Sequence, residues 1–209
     1  TSGVVVSKDH KISWNLTFTP NSFTFHHVPS ILKTIKFAKS SVCKPNVDVY
    51  FSGSFEVDGE VFEVSNAPGC QGHIHGTRYA HEWAWAHCNM FEGSDKIVLE
   101  ALAARVKMGG VILSPKMSAV YLKWDDLEFE LNGLWQLLQA ISEYSLNQWR
   151  LECVKDDFRI LIEIECDARQ LIAVTYEDTL GGLLFCNNTE LASMRLSLYK
   201  NGNLFKNAK

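Results

Sequence analysis

The sequence lacks two features that would place the protein in a membrane or on nucleic acid. No uninterrupted apolar run reaches the ~18 residues that a membrane-spanning helix needs. Lysine and arginine number 20 against 24 aspartates and glutamates, a formal net charge of −4. This balance argues against binding nucleic acid by neutralising its phosphates. We therefore expect no integral membrane segment, no nucleic-acid partner and a soluble protein of the cytoplasm.

The sequence also lacks the short motifs of common nucleotide-binding and nucleophilic enzymes. It contains no G-x-S-x-G, no Walker A motif and no G-x-G-x-x-G. None of its six cysteines forms a C-x-x-C pair, so the usual zinc-finger and thioredoxin spacings are missing. We expect free thiols in a reducing compartment and no cofactor.

A histidine-rich segment raises the question of a metal site. His73 and His75 would point the same way on a strand, and His81, His87 or Cys88 could complete a tetrahedral set. In the run HEWAWAH, however, the second histidine follows the first by six positions, whereas a helical zinc motif needs four. Because no spacing here matches a known ligand set, we expect no bound metal.

Alternation of apolar and polar residues is the strongest pattern present, and it predicts an all-β chain. Leu127–Leu131 and Phe158–Cys166 each place apolar residues on one face and charged residues on the other. Asp58-Gly59 predicts a tight hairpin turn within Ser54–Val64. Further strands are expected at Lys11–Thr19, Val47–Ser54, Glu82–Phe91, Ile97–Val106, Ala119–Lys123, Tyr144–Val154, Leu171–Tyr176 and Leu191–Tyr199.

Helical patterns are weak by comparison. Leu134–Ser142 has the best helix propensity but lies between strand patterns and could itself be extended. Ser30–Ala38 could form one or two turns with Ser30 as a candidate cap. Turn residues separate the strands at intervals of about ten residues, a spacing typical of a β-sandwich or β-barrel. The turns are Gly93-Ser94, Gly109-Gly110, Asp125-Asp126, Asn132-Gly133, Asp156-Asp157 and Gly181-Gly182.

The composition changes at residues 65–76, SNAPGCQGHIHG, which contain Pro68 and three glycines. We interpret this segment as a connector between two blocks of strands. Residues 1–67 are too few to close a barrel and are predicted to be the C-terminal part of a first β domain, or strands that complete the sheet of the second block. Residues 68–209 are predicted to form a β-barrel of their own.

Residues 73–91, HIHGTRYAHEWAWAHCNMF, hold four of the seven histidines and two of the six tryptophans. On a strand, alternation places small residues on one face and bulky, hydrogen-bonding residues on the other. In a barrel, the bulky face would suit a lumen in which a ligand rests against indole rings. The alternative is plain core packing of large against small side chains. The bulky face comprises His81, Trp83, Trp85, His87 and Asn89.

The same segment resembles the tocopherol cyclase family and its lipocalin-like relatives, which include carotenoid hydratases. The family signature Trp-x-Trp-x-x-Cys-Asn-x-Phe is matched at Trp83, Trp85, Cys88, Asn89 and Phe91. Similarity at the level of pattern extends over Gly72–Gly76, Leu122–Gly133 and Tyr176–Tyr199. The resemblance implies lipocalin-like (calycin) antiparallel β-barrels in tandem, with residues 1–67 left from an incomplete one. It also implies a hydrophobic prenylated or polyene ligand, whose ring is closed or whose double bond is hydrated.

Such chemistry needs a proton donor beside an apolar cradle whose aromatic faces steady a carbocation. On this hypothesis, Trp83 and Trp85 form the cradle, and His87 and Asn89 are its polar partners. Tyr121, or His73 or His75, supplies a proton, and His81 completes the ligand-binding set. Two other hypotheses stay open: a non-catalytic carrier that uses the same lumen, and a structural module with a filled core.

Overall fold

The structure, a computed structural model, describes residues 1–21, 23–35, 39–94, 96–108, 112–179 and 181–209. Strands hold 66% of the residues and helices 7%, which confirms the predicted all-β class. Within the described ranges, no helix has the length and apolar character needed to span a membrane. The predicted Gly109-Gly110 turn and residues 36–38 of the predicted first helix lie outside the described residues.

The chain divides into two compact units that alternate along the sequence. The first unit comprises Thr1–Phe25 and Cys43–His73, and the second comprises His26–Val42 and Ile74–Lys209. The domain limits expected from sequence, 1–67 and 68–209, stay a prediction.

The N-terminal third of the chain forms one antiparallel sheet with the order β1-β2-β4-β3, in which β5 pairs with β4. The hairpin formed by β4 and β5 extends well beyond Ser54–Val64, the segment that was predicted from alternation. In chain order the elements are β1 (Ser2–Val6), β2 (Lys11–Phe18), β3 (Phe25–His26), α1 (Ser30–Thr34), β4 (Ser40–Val57) and β5 (Glu60–Gly76).

The turn between β4 and β5 confirms the hairpin predicted at Asp58-Gly59. Both residues have positive φ, 53° and 92°, as the favoured two-residue hairpin turn requires. The Asp58 carboxylate contacts His10 Nδ1 at 2.7 Å and accepts the Lys11 backbone N–H at 2.8 Å. These two hydrogen bonds, the one with His10 first, lower the pKa of Asp58.

The strand β5 runs through residues 65–76, so this segment is extended and paired, and its role as a connector between two blocks stays a prediction. Its glycines and Pro68 are typical of turns, but within the described residues β5 pairs only with β4. A proline, which has no N–H to donate, is tolerated in such an edge strand. His73 and His75 therefore lie on a strand and not in a loop.

The second unit contains a four-stranded sheet of order β11-β10-β7-β6 and a five-stranded sheet of order β12-β13-β14-β17-β18, with smaller β15-β16 and β8-β9 pairs. Its elements are β6 (Glu82–Cys88), β7 (Ile97–Arg105), β8 (Lys107–Met108), β9 (Ile112–Leu113), β10 (Met117–Trp124), β11 (Leu127–Leu131), α2 (Leu134–Gln139), β12 (Ile141–Tyr144), β13 (Gln148–Lys155), β14 (Phe158–Glu165), β15 (Ile172–Glu177), β16 (Leu183–Asn188), β17 (Ser193–Lys200) and β18 (Asn203–Ala208).

The hydrophobic core of the second unit is formed by one face of the four-stranded sheet and one face of the five-stranded sheet. Leu99 and Val120 of the first sheet and Leu151, Ile160 and Leu198 of the second are completely buried. Interdigitation of two inner faces in this way is typical of β-sandwiches. Within the described residues, no ladder closes the sheets into a barrel. The lipocalin-like barrel therefore stays a prediction.

Two local predictions need correction. The strand expected over Tyr144–Val154 is two strands, because a turn closed by the Ser145 N–H and the Gln148 carbonyl separates β12 from β13. Ser30 does not cap α1: it is the first helical residue, and the cap position is Pro29. The predicted helix at Leu134–Ser142 is confirmed but shorter, as α2.

Candidate functional site

The two faces of β6 differ in the way that alternation predicts. Ala84, Ala86 and Cys88 pack against the hydrophobic core of the second unit. Trp83, Trp85 and His87, which alternate with them, lie on the opposite face of the same sheet. The bulky face is thus the one turned away from that core, and the small residues are the ones that fill it.

A buried carboxylate lies on this bulky face. Glu100 of β7 stands directly opposite His87 of β6 and, on its other side, opposite Tyr121 of β10. Residues opposite one another in antiparallel strands project to the same face. Glu100 is completely buried, and a carboxylate in that position is stable only with partners that supply hydrogen bonds or charge.

Hydrogen-bonding contacts with three side chains of the described residues surround Glu100. One carboxylate oxygen, Oε1, contacts His27 Nε2 at 2.7 Å and accepts the Trp85 indole N–H at 2.7 Å. The other, Oε2, contacts His87 Nδ1 at 3.1 Å. We call Glu100, His27, His87 and Trp85 the Glu100 cluster. All four residues belong to the second unit.

The hydrogen bonds of His27 determine how many protons the His27–Glu100 pair holds. Its Nδ1 lies 3.3 Å from the carbonyl oxygen of Val42, which can only accept, so Nδ1 carries a hydrogen. The contact between His27 Nε2 and Glu100 then holds one further proton, on either the imidazole or the carboxylate. In both arrangements the His27–Glu100 pair has no net charge, which lowers the free-energy penalty of burying it.

The backbone around His27 is fixed by hydrogen bonds. The His27 N–H donates to the Val42 carbonyl at 3.1 Å, and the Asn132 side-chain amide donates to the His26 carbonyl at 2.9 Å. The imidazole is therefore held against Glu100 by its own strand and by the residue that follows β11.

An aromatic cluster lies further along the same face of β6. The rings of Tyr79, Trp83 and Tyr176 have centroids 5.6–6.4 Å apart, within the range of favourable ring contacts. Trp85 lies between this cluster and His87 in the strand. Trp85 is 48% exposed even though its indole N–H is bonded to Glu100.

The other predicted site residues are distributed more widely. Tyr121 is buried and donates its hydroxyl hydrogen to Glu128 at 2.7 Å. Asn89, half-buried, follows the end of β6, whereas the exposed His81 precedes its start. His73 and His75 are exposed on β5. The structure thus brings His87, Trp85 and Tyr121 to one place beside Glu100.

Within the described residues, no group of three or more His, Cys, Asp or Glu side chains is arranged to hold a metal ion.

The sequence reasoning missed Glu100 and His27. Glu100 is the only charged residue in the apolar run from Ile97 to Ala104, and a lone carboxylate in such a run indicates a buried, partnered group. That signal was available. His27 is 73 residues away from Glu100 in sequence, and only the folded chain brings the two together.

The fold and this site define an all-β protein that carries a buried acid–base cluster beside an aromatic surface. The family model described as tocopherol cyclase-like matches residues 7–208. The chain therefore belongs to the tocopherol cyclase-like family, as the Trp-x-Trp-x-x-Cys-Asn-x-Phe motif predicted.

Relatives are distant and longer than this chain. Two proteins named only as uncharacterised, from two strains of Mycobacterium tuberculosis, are 24% identical over 188 residues, which is 90% of this chain and 55% of theirs. A probable chloroplastic tocopherol cyclase of Oryza sativa subsp. japonica is 27% identical over 160 residues, 73% of this chain and 32% of that protein. The chloroplastic tocopherol cyclase of Zea mays is 27% identical over 165 residues, 71% of this chain and 31% of that protein. No solved structure matches the chain significantly.

The chain thus spans about half the length of the mycobacterial relatives and about a third of the plant ones.

Proposed function

We propose that the second unit binds a hydrophobic prenylated or polyene molecule and catalyses its cyclisation or hydration by protonating a carbon–carbon double bond. The observation that carries the proposal is the completely buried Glu100, which contacts two imidazoles and one indole N–H. Membership of the tocopherol cyclase-like family supports the ligand class, since two relatives are named tocopherol cyclases. The lipocalin-like barrel is part of this proposal, supported by the two packed sheets.

His87 is the proton donor in this proposal. Its side chain is 10% exposed, whereas those of His27 and Glu100 are completely buried, so His87 is the one of the three that is nearest to solvent. Because Nδ1 faces Glu100, the opposite ring nitrogen, Nε2, which is buried in this structure, delivers the proton to a double bond bound against it. Glu100 and His27 then supply a proton to Nδ1, which restores a neutral imidazole in the other tautomer.

The protonated double bond becomes a carbocation, and the indole of Trp85, two residues from His87 on the same face of β6, stabilises that charge. Trp83 and His87 are four residues apart on one face, about 13 Å along an extended strand. A ligand lying along β6 would contact the rings of Trp83 and Trp85 and reach His87. Cation–π attraction is strongest for indole rings and is increased when water is excluded.

The carbocation is then captured by a hydroxyl oxygen, either of the ligand itself or of water. A new C–O bond forms, and the hydroxyl proton returns to the Glu100 cluster, so the protein ends in its starting state. Internal capture closes a ring and gives an isomer of the substrate. Capture of water gives a product heavier by one water molecule. Neither reaction consumes an oxidant or a reductant.

The test is to incubate the full chain with a prenylated hydroquinone that has an unsaturated tail and, separately, with a linear polyene. Binding is measured by quenching of tryptophan fluorescence, and products by liquid chromatography with mass spectrometry. We expect binding and a product of equal mass or one water heavier. His87→Ala should keep binding and lower turnover by roughly 10²-fold or more, the usual contribution of a general acid.

His26→Ala is the matched control, because His26 has an exposed side chain and lies next to His27. It should bind and turn over like the unmodified protein. Binding with no product from either ligand would contradict catalysis and indicate a carrier. No binding of either ligand would contradict the ligand class and indicate a structural module.

A further inference from the structure

A lysine and a cysteine are paired inside the first unit. Lys44 of β4 is only 5% exposed, which is rare for a lysine because its ammonium group is strongly hydrated. Its Nζ donates to the Sγ atom of Cys70, on β5, at 3.3 Å. Both residues belong to the first unit.

The surroundings hold this pair in place. Asn46, which is buried, lies two residues after Lys44 on β4. Its side-chain amide N–H donates to the side-chain oxygen of Gln71, the neighbour of Cys70, at 2.7 Å. Its side-chain oxygen accepts the backbone N–H of Asn21 at 2.8 Å. A methyl group at Gly72 would lie 3.3 Å from Lys44 Nζ, so the missing side chain at Gly72 leaves room for the ammonium group.

We propose that Cys70 is a nucleophilic thiol, activated by Lys44, and a site of covalent modification by α,β-unsaturated carbonyl compounds. A positive charge in contact with sulfur favours the thiolate, which is the reactive form of cysteine. Cys70 is also half-buried rather than buried, in contrast to Cys43 and Cys153. An electrophile can therefore reach the sulfur.

The reaction is a simple addition. The thiolate sulfur of Cys70 forms a bond to the β carbon of the acceptor as the C=C π bond breaks. The electron pair of that bond moves onto the carbonyl oxygen, and the resulting enolate takes a proton from the Lys44 ammonium group. Lys44 regains a proton from water, which received the original thiol proton. The net result is addition of S–H across C=C, with no oxidant or reductant.

N-ethylmaleimide is the probe, since its double bond is activated by two carbonyl groups. The full chain is treated with the reagent at pH 7 for increasing times and is then unfolded. The thiols that have not reacted are labelled with a heavy-isotope form of the reagent, and the peptides are analysed by mass spectrometry. Cys166 and Cys186 serve as internal references because both are half-buried like Cys70. We expect Cys70 to react at least about tenfold faster than either, because the contact with the Lys44 ammonium group increases the fraction of thiolate.

Two variants separate charge from access. Lys44→Met removes the charge and keeps much of the bulk, and we expect it to slow the modification of Cys70 about tenfold. Lys44→Arg keeps the charge and should keep most of the rate. If access alone governed the rate, both variants would leave it unchanged, or raise it by loosening the site. That result, or a Cys70 no faster than Cys166 in the unmodified protein, would overturn the proposal. The comparison within the unmodified protein holds even if a variant does not fold.

Discussion

Removal of the Glu100 carboxylate should destabilise the second unit more than any other loss of a single acidic group in its four-stranded sheet. Glu100→Ala leaves His27 Nε2 and the Trp85 indole N–H without their hydrogen-bonding partner at a fully buried position. Removing one partner from a buried charged pair typically costs about 3–5 kcal/mol. We therefore expect the free energy of unfolding to fall by about 4 kcal/mol.

Glu100→Gln tests the source of this effect. Glutamine keeps the volume and one carbonyl oxygen, so one acceptor persists while the negative charge is lost. The expected decrease is about 2 kcal/mol, near the value of a hydrogen bond to a charged group. Glu130→Ala is the control, because Glu130 is exposed on β11 in the same sheet. It should change stability by no more than about 0.5 kcal/mol.

The assay is urea unfolding at pH 7 followed by tryptophan fluorescence. Five of the six tryptophans, all except Trp14, lie in the second unit, so the signal reports mainly on that unit. The reasoning is refuted if Glu100→Ala and Glu130→Ala lower the free energy of unfolding equally. It is also refuted if Glu100→Gln is as destabilising as Glu100→Ala. The volume and the one acceptor that glutamine keeps and alanine removes would then contribute nothing to stability.

Two further predictions concern titratable groups. Burial raises the pKa of the Cys153 thiol to about 12. At pH 8, iodoacetamide should therefore leave Cys153 unmodified in the folded protein and alkylate it in denaturant. Peptide mapping that finds Cys153 alkylated in the folded protein would contradict this. His10 lowers the pKa of Asp58, so the stabilisation from this carboxylate is present above its unfolded pKa and is lost as pH falls through its lower folded pKa. In ¹³C NMR titrations, His10→Ala should raise the pKa of Asp58 towards 3.8, and an unchanged titration would show that His10 is not the cause.

Strands with one face on the core and one in solvent could be predicted closely from the sequence. The prediction for Leu127–Leu131 matches β11 residue for residue, and that for Phe158–Cys166 differs from β14 by one residue. The reason is physical: burial of one face requires apolar residues at every second position, and solvent on the other face permits charges.

Strands that do not alternate in this way were missed or misread. Beyond Val64, β5 is largely exposed and contains Pro68 and several glycines, so its pairing with β4 leaves no hydrophobic pattern to detect there. Tyr144–Val154 reads as one strand because apolar residues stand on both sides of the turn between β12 and β13, although their alternation changes phase between Leu146 and Trp149. In both cases backbone hydrogen bonds, which any residue except proline can donate, determine the structure.

The site was partly predictable for the same reasons. Alternation along β6 correctly places Trp83, Trp85 and His87 on one face. Glu100 was visible as the single charge in a buried strand, whereas the contribution of His27 depends on a contact between distant segments. Local periodicity carries no information about such a contact, and no spacing motif marks it.

The most direct test of the central claim is deuterium transfer from the Glu100 cluster to the ligand. The full chain is incubated in D₂O with the prenylated hydroquinone, and the product is analysed by mass spectrometry and ²H NMR. The account predicts one deuterium at the carbon that was protonated, and loss of labelled product in both His87→Ala and Glu100→Gln. A product with no deuterium at that carbon, or equal labelling in the unmodified protein and both variants, would contradict a proton delivered by this cluster.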